Sequence, residues 1–340
     1  MIVNFLNEKI EVFRQSRIYK DYLEIRDDVL KILEEVERCN DSPSKYWIEE
    51  IEAIDYIFDA SPLIVNKLRE HTHHITGIKS YEYRDHHAHQ APAFEKKLKL
   101  LQQIDPWGLF IPEAKNLGGF GHKLEAGLVN LDTLKFYETL IGMEISNCFS
   151  EIRGKKSLIL EIGAGWGGFA YQFKRNFPLS TYLIVDLPAM IIFSYTYLKS
   201  CFPDAKFKVV KNESEIPSAQ DYINFDFVFI PNFLFEHLNV PSIDLGVNMV
   251  SFQEMTESQV MSYLEKLTQV GCKKFYSHNR DRSKHNQELN AVGICMKRNF
   301  SIQEISVLDW QYTDLKMKPS IDRGVHKKSI HDYRHIIGLS

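Results

Sequence analysis

The stretch Leu158-Ile-Leu-Glu161-Ile-Gly163-Ala-Gly165-Trp-Gly167-Gly168 runs an apolar strand into a glycine-rich turn and then into a helical segment ending near Asn176. Glycines at 163 and 165 remove the β-carbons that would keep a ligand off the backbone. Read as G-x-G-x-x-G, Gly163, Gly165 and Gly168 also satisfy the dinucleotide fingerprint. The next apolar run, Thr181-Tyr-Leu-Ile-Val185, ends on Asp186, where a carboxylate can accept from both hydroxyls of a ribose. Strand, glycine turn, helix and distal acid together predict a nucleoside-type cofactor at this loop.

Two cofactors compete for it. NAD brings a pyrophosphate, which seeks bare amides and a helix N-terminus. S-adenosyl-L-methionine brings a sulfonium and an amino-acid end. Glu161, two residues before the first glycine, repels the former and suits the latter. The loop also follows about 150 residues of other sequence, whereas nicotinamide folds often begin with it. The methyl donor is the expected cofactor. An NAD(P)-dependent oxidoreductase is the alternative, and a non-catalytic binding module that keeps the pocket is a third reading.

Outward from the loop, short apolar runs alternate with amphipathic helices. Residues 188–201 and 257–270 read as helices, and 225–230, 243–247 and 274–277 as strands. Residues 301–308 and 331–339 supply a final pair of strands, and 206–210 is a strand or a hairpin piece. This is the pattern of an α/β, Rossmann-like, doubly wound sheet, expected with seven strands over residues 151–340. Residues 1–150 read as a mostly helical N-terminal domain. Leu23, Ile25, Val29, Leu30, Ile32, Leu33 and Val36 fall mainly on one helical face, and 47–58, 62–71 and 131–149 continue the pattern. Between them, residues 105–127 are dense in glycine and proline and predict a long ordered loop of functional kind.

Composition narrows the classes without naming one. With 44% hydrophobic and 25% charged residues the chain is globular, not disordered. A net charge of −4 gives no chain-wide attraction for nucleic acid or an anionic membrane. Uncharged runs stop at about a dozen residues, short of the roughly 20 a membrane span needs. The charged start, Met1-Ile-Val-Asn-Phe-Leu-Asn-Glu8-Lys9, argues against a secretory leader. Cys39, Cys148, Cys201, Cys272 and Cys295 are odd in number and scattered, so a reducing cytoplasm is expected.

The acid-x-Gly-x-Gly-x-Gly run at Glu161, Gly163, Gly165 and Gly167 resembles the first motif of class I S-adenosylmethionine-dependent methyltransferases. More narrowly, the chain is similar to a family of sugar O-methyltransferases over about residues 105–280. The matching stretches are Gly118-Gly-Phe-Gly121, Val129-Asn-Leu-Asp-Thr-Leu-Lys-Phe-Tyr137, Leu160 to Gly168, Asn248-Met-Val-Ser-Phe-Gln-Glu-Met255 and Phe275-Tyr-Ser-His-Asn-Arg280. The resemblance implies methyl transfer to a hydroxyl of a sugar or glycoconjugate. It implies cofactor contacts from Glu161, Gly163, Ala164, Gly165, Gly167, Asp186 and Leu187, with Asn248 and Ser251 beside them. Many class I enzymes place an acid after the third strand for the adenine amine. If 225–230 is that strand, Pro231-Asn232 follows it, and Asn232 would have to serve.

Methyl transfer to an alcohol requires an aligned acceptor oxygen, exclusion of water and removal of a proton. Ligands in such sheets sit beyond the carboxyl ends of the strands. Glu254 and His278 are the candidate proton acceptors there, with Asn279 beside them. The competing readings are a helix N-terminal acid for Glu254 and a loop histidine for His278. Gln253 and Arg280 would bind acceptor hydroxyls or a phosphate, or are merely solvated. Gly119, Phe120 and His122 would close over cofactor or acceptor, or form a passive turn.

The absence of Asn/Asp-Pro-Pro-Tyr/Phe after the fourth strand argues against N-methylation. The histidine clusters His71-Thr-His73-His74 and His86-His-Ala-His89 lack a carboxylate or cysteine at metal-ligand spacing, so no metal is expected. Lys316, Lys318, Arg323, Lys327 and Lys328 either meet a phosphate or are solvated. The expected partner is a small or glycan acceptor, a nucleotide sugar being one form. No nucleic acid is expected, and a homo-oligomer stays open.

Overall fold

The computed structural model describes residues 2–39, 45–284, 286–308 and 332–340; the late basic segment with Lys316 and Lys328 lies outside them. Among the described residues seven helices come first: α1 (Ile2–Arg14), α2 (Arg17–Cys39), α3 (Lys45–Ala53), α4 (Pro62–Val65), α5 (His73–Thr76), α6 (Ala91–Gln103) and α7 (Leu131–Ile145). A small antiparallel hairpin, β1 (His122–Leu124) and β2 (Gly127–Val129), precedes α7. Four helices follow: α8 (Gly168–Asn176), α9 (Pro188–Cys201), α10 (Glu257–Gln269) and α11 (Val292–Lys297).

The main sheet contains β3 (Leu158–Ile162), β4 (Thr181–Asp186), β5 (Phe207–Val209), β6 (Phe227–Pro231), β7 (Leu245–Met249), β8 (Lys274–Asn279), β9 (Ser301–Ile305) and β10 (Arg334–Leu339). Its order is β5-β6-β4-β3-β7-β8-β10-β9. The strands from β5 to β8 are parallel, while β10 runs antiparallel to both β8 and β9. The chain moves outward from β3 through β4 and returns to β7 on the other side of β3. That reversal opens a crevice at the strands' carboxyl ends. The α/β Rossmann-like class therefore holds, with eight strands in the main sheet among the described residues rather than the expected seven. The additional one is β5, a run whose sequence fits either a strand or a hairpin piece.

Both sheet faces are covered, so strands read as near-continuous apolar runs. Period-two alternation sends Ile159, Tyr182 and Ile184 to one face and Leu160, Leu183 and Val185 to the other. The second face carries Val260, Leu264 and Leu267 of α10 and Val292 of α11. The first face carries α7, α8 and α9, and its apolar cluster continues into Tyr22, Ile25, Val29 and Ile32 of α2. Those four recur at helical spacing and are all buried. Helix α9 is buried almost all round because it lies between α2 and the sheet.

Several local expectations change. Residues 47–58 do not form one helix: α3 stops at Ala53, and Asp55–Asp59 is a short 3-10 turn. Residues 62–71 likewise break after Val65. For the first break the cause is tertiary: buried Tyr22 donates its hydroxyl to the Ile57 carbonyl (2.7 Å) and accepts from the Ala60 amide (2.8 Å), pinning the turn after α3. The 105–127 stretch is ordered, but it contains β1 and leads directly into β2. Asp105 nucleates it by accepting from the amides of Trp107, Gly108 and Leu109 and from the Tyr137 hydroxyl. Among the described residues no helix is long and apolar enough to cross a membrane.

Candidate active site

A cavity of about 1230 Å³ opens at the carboxyl ends of the central strands. Its first wall is the glycine-rich turn. Gly163 has φ +73°, and a β-carbon there would stand 2.1 Å from Ser251 Oγ, so both the backbone and the space demand glycine. Asp186 ties this turn to β4: one carboxylate oxygen accepts from the Gly165 amide (2.7 Å) and the other from Leu187 (2.8 Å). Lone pairs remain on both oxygens for a ligand. Burial pushes this carboxyl up to about 7, against the pull of the Gly165 and Leu187 amides.

Glu161 lines the same wall and is 2% exposed. Burial pushes it up to about 8; the Tyr182 hydroxyl, 2.9 Å away, opposes that rise and neighbouring Asp186 reinforces it. Two carboxyls thus sit in a poorly solvated cavity where a cationic ligand would favour their charged forms. Ala164, Gly165, Leu187 and Asn232 also line the cavity; Gly167 does not.

The opposite wall follows β7 and β8. Ser251, Gln253, Glu254 and Arg280 face the cavity. Asn248 and Asn279 lie behind them, buried and bonded to the protein. Asn248 donates to the Ile162 carbonyl (2.8 Å) and accepts from the Phe252 amide (3.0 Å) and from Asn279 Nδ2 (2.8 Å). Asn279 in turn accepts from the Ser251 amide (3.1 Å). This lock holds Val250 at φ +54°, a costly conformation for a β-branched residue, on the cavity wall. Helix α10 is capped by Thr256 with Gln259, and Glu257 is the acid of its first turn. Glu254 precedes that cap, so the helix-acid reading passes to Glu257.

His278 is not among the cavity-lining residues. Strand β8 runs two residues past the expected end, and alternation turns His278 toward α7, where Nδ1 and Thr139 Oγ1 lie 2.8 Å apart. Its ring stacks on His335 at 3.8 Å and 22°. Burial holds the His278 imidazole well below its usual range, with His335 adding to the effect. Glu138, His278 and His335 bring one ligand atom each within 4.8 Å of one another. A bound ion must lie near the plane of each imidazole at about 2.0–2.1 Å from nitrogen, and two stacked rings share no such point. Lys97 Nζ lies 2.8 Å from the Glu138 carboxylate, so the geometry is that of a buried ion pair beside a ring stack.

The roof comes from the N-terminal helices. His73, His74, Ile75 and Thr76 of α5 line the cavity, and a β-carbon on Gly165 would stand 2.9 Å from Ile75. His71 instead meets the Tyr56 hydroxyl at 3.1 Å, and His86, His87 and His89 occupy a separate 3-10 turn. Gly119, Phe120 and His122 do not line the cavity. Phe120 lies under Arg69 (4.5 Å), and His122 is buried against Phe94 (4.7 Å) and Tyr83 (5.0 Å).

What anchors this roof is invisible in the sequence. Buried Arg69 donates to Glu113 (2.7 Å), Asp132 (2.9 Å) and Thr72 (2.6 Å), and stacks on Trp166 of the glycine turn (3.8 Å). Lys135, a cavity residue, completes the network with a 2.9 Å bond to Asp132. Lys135 falls within the stretch 129–137 that carries the family resemblance; Arg69 has no local signal.

No family model matches this chain, and no curated relative does. Among solved structures, an O-methyltransferase family protein from Burkholderia thailandensis aligns at 13% identity and TM-score 0.34, covering 62% of this chain and 59% of its own. Magnesium protoporphyrin IX methyltransferase from Synechocystis PCC 6803 with bound SAM aligns at 10% identity and TM-score 0.38, covering 63% and 85%. The pyocyanin biosynthetic protein PhzM aligns at 10% and 0.35, covering 59% and 56%. Likenesses this distant carry no functional argument, so the functional reading rests on the chain's own residues.

Proposed function

We propose that this protein transfers a methyl group from S-adenosyl-L-methionine to a hydroxyl of a sugar or glycoconjugate. The observation that carries this reading is the pair Glu161 and Asp186. Two buried carboxyls, Glu161 one residue before the end of β3 and Asp186 at the end of the adjacent parallel β4, line the cavity beside the glycine turn. A sulfonium and an ammonium fit that field, whereas a pyrophosphate would meet repulsion. Asp186 would hold the ribose hydroxyls, the turn at 163–165 the amino-acid end, and Leu187 and Asn232 the adenine. The cavity exceeds the roughly 300–1,000 Å³ of a common single-ligand pocket, leaving room for an acceptor beside the cofactor.

When bound, the cofactor supplies a methyl carbon already activated for displacement. The chain's part is to align the acceptor oxygen, keep out water beneath α5, and take the hydroxyl proton. Glu254, which lines the cavity after β7, would take that proton. Asn279 and His278 stand behind it and hold the wall in place.

Calorimetry with S-adenosylmethionine, S-adenosylhomocysteine and NAD tests the reading. Both sulfur ligands should bind, and Asp186→Ala should weaken them by about tenfold or more, as expected for lost hydrogen bonds to a charged group. Binding of NAD alone would overturn the proposal. Binding of the sulfur ligands without turnover over a broad hydroxyl panel would leave a non-catalytic binding module.

A further inference from the structure

We infer that the acceptor carries an oxyanion, a phosphate or carboxylate, that Arg280 binds. This rests on the methyltransfer reading, because that reading assigns β3, β4 and β6 to the cofactor and leaves the ends of β7 and β8 for the acceptor. Arg280 follows β8 directly and lines the cavity on that side.

Its surroundings distinguish it from Lys135, which shares the cavity wall and is already bonded to Asp132. Arg280 has no carboxylate partner among the described residues, and its Nε is buried without a hydrogen-bond acceptor. Its guanidinium lies 4.4 Å over the ring of Tyr333, and its backbone amide donates to Gln253 Oε1 at 3.0 Å. The ring therefore holds the guanidinium, and the amide holds the backbone beneath it, before any ligand arrives. A planar, pre-oriented guanidinium matches the two oxygens of a carboxylate or phosphate, which a neutral sugar hydroxyl does not offer.

Charge is mixed along the cavity. Glu161 and Asp186 lie by the glycine turn with Lys135 also lining the cavity, and Arg280 shares the wall after β7 and β8 with Glu254. An oxyanion of the acceptor would meet Arg280 while its hydroxyl faces Glu254, so the two side chains together would set the acceptor's orientation.

The test is calorimetry on the full chain, both alone and with S-adenosylhomocysteine, using glucose 6-phosphate, glucuronate, inorganic phosphate and glucose as probes. Glucose 6-phosphate or glucuronate should bind at least tenfold tighter than glucose, and the tighter of the two identifies the oxyanion. Arg280→Gln should erase that preference by roughly tenfold to a hundredfold while leaving S-adenosylhomocysteine affinity unchanged. Arg280→Lys should recover part of it, since it keeps the charge but not the fork. Equal binding of charged and neutral probes, or a preference that survives Arg280→Gln, overturns the inference. Loss of S-adenosylhomocysteine binding in the unmodified protein would instead strike the methyltransfer reading, and the titrations without that ligand would still decide the role of Arg280.

Discussion

The guanidinium of Arg69 lies 3.8 Å from the centre of the Trp166 ring, so a residue of the N-terminal helices is stacked on the cofactor turn itself. Arg69 also fixes Thr72, from which α5 starts across the cavity. Roof and glycine turn are thereby one mechanical unit.

Arg69→Met tests that unit. It would strand the Glu113 and Asp132 carboxylates in the interior, a loss of about 3–5 kcal/mol for a broken buried pair. Urea unfolding followed by tryptophan fluorescence measures it. A loss below about 1 kcal/mol would show that the network relaxes without Arg69.

Gly163→Ala should abolish cofactor binding, since the new methyl group meets Ser251 Oγ at a backbone angle that favours glycine. Ser251→Gly added to it removes the collision but not the backbone cost, about 1–2 kcal/mol. Partial recovery of S-adenosylhomocysteine affinity in the double variant is the expected result. No recovery would mean that the turn itself, rather than the contact, had been lost.

The acid pair gives a pH dependence of definite sign. Glu161 titrates near 8 in the folded chain, above its ordinary 4.5, and Asp186 near 7, above 3.8. The folded state therefore holds more protons than the unfolded one across those windows, and stability falls as pH rises through them. A carboxyl whose pKa rises by one on folding loses about 1.4 kcal/mol of stability over that window. Glu161→Gln removes one of the two titrating groups, so its stability should decline less between pH 5 and 8 than that of the unmodified protein. Parallel curves in urea titrations at the two pH values would refute this. A cationic ligand should reverse the trend, stabilising more at pH 8 than at pH 5.

Glu254→Gln should lower turnover by about 10²–10⁴, the usual contribution of a general base, with cofactor affinity intact. His278→Ala should act differently, through unfolding, because its ring is packed between Thr139 and His335 away from the cavity. Stopped turnover with unchanged stability in His278→Ala would return the histidine to the chemistry.

How far the residues can be read depends on the range of the interactions. The glycine turn, Asp186 and the strand alternation around them are legible because turn chemistry and period two are local. Arg69 is not, since its partners Glu113 and Asp132 lie 44 and 63 positions away. His278 is misplaced by a strand end set two residues short: alternation decides the facing of a residue, so a small error in extent exchanges wall and interior. Residues 47–58 look like one helix because helical periodicity survives into the turn that Tyr22 fixes from another helix. Short strands such as β1 and β2, three residues each, lie below what alternation can reveal among glycines and prolines.

The burial of α9 on every side has a practical meaning for anyone who would handle this protein in parts. A fragment beginning at residue 151 would keep the whole parallel sheet and the glycine turn, yet it would lay bare the side of α9 that α2 covers. Such a fragment should clump when expressed, and a chain nicked in its first forty residues should lose solubility before it loses its sheet. The opening helices are an inseparable sleeve, and any shortened version would need a replacement for Tyr22, Ile25, Val29 and Ile32.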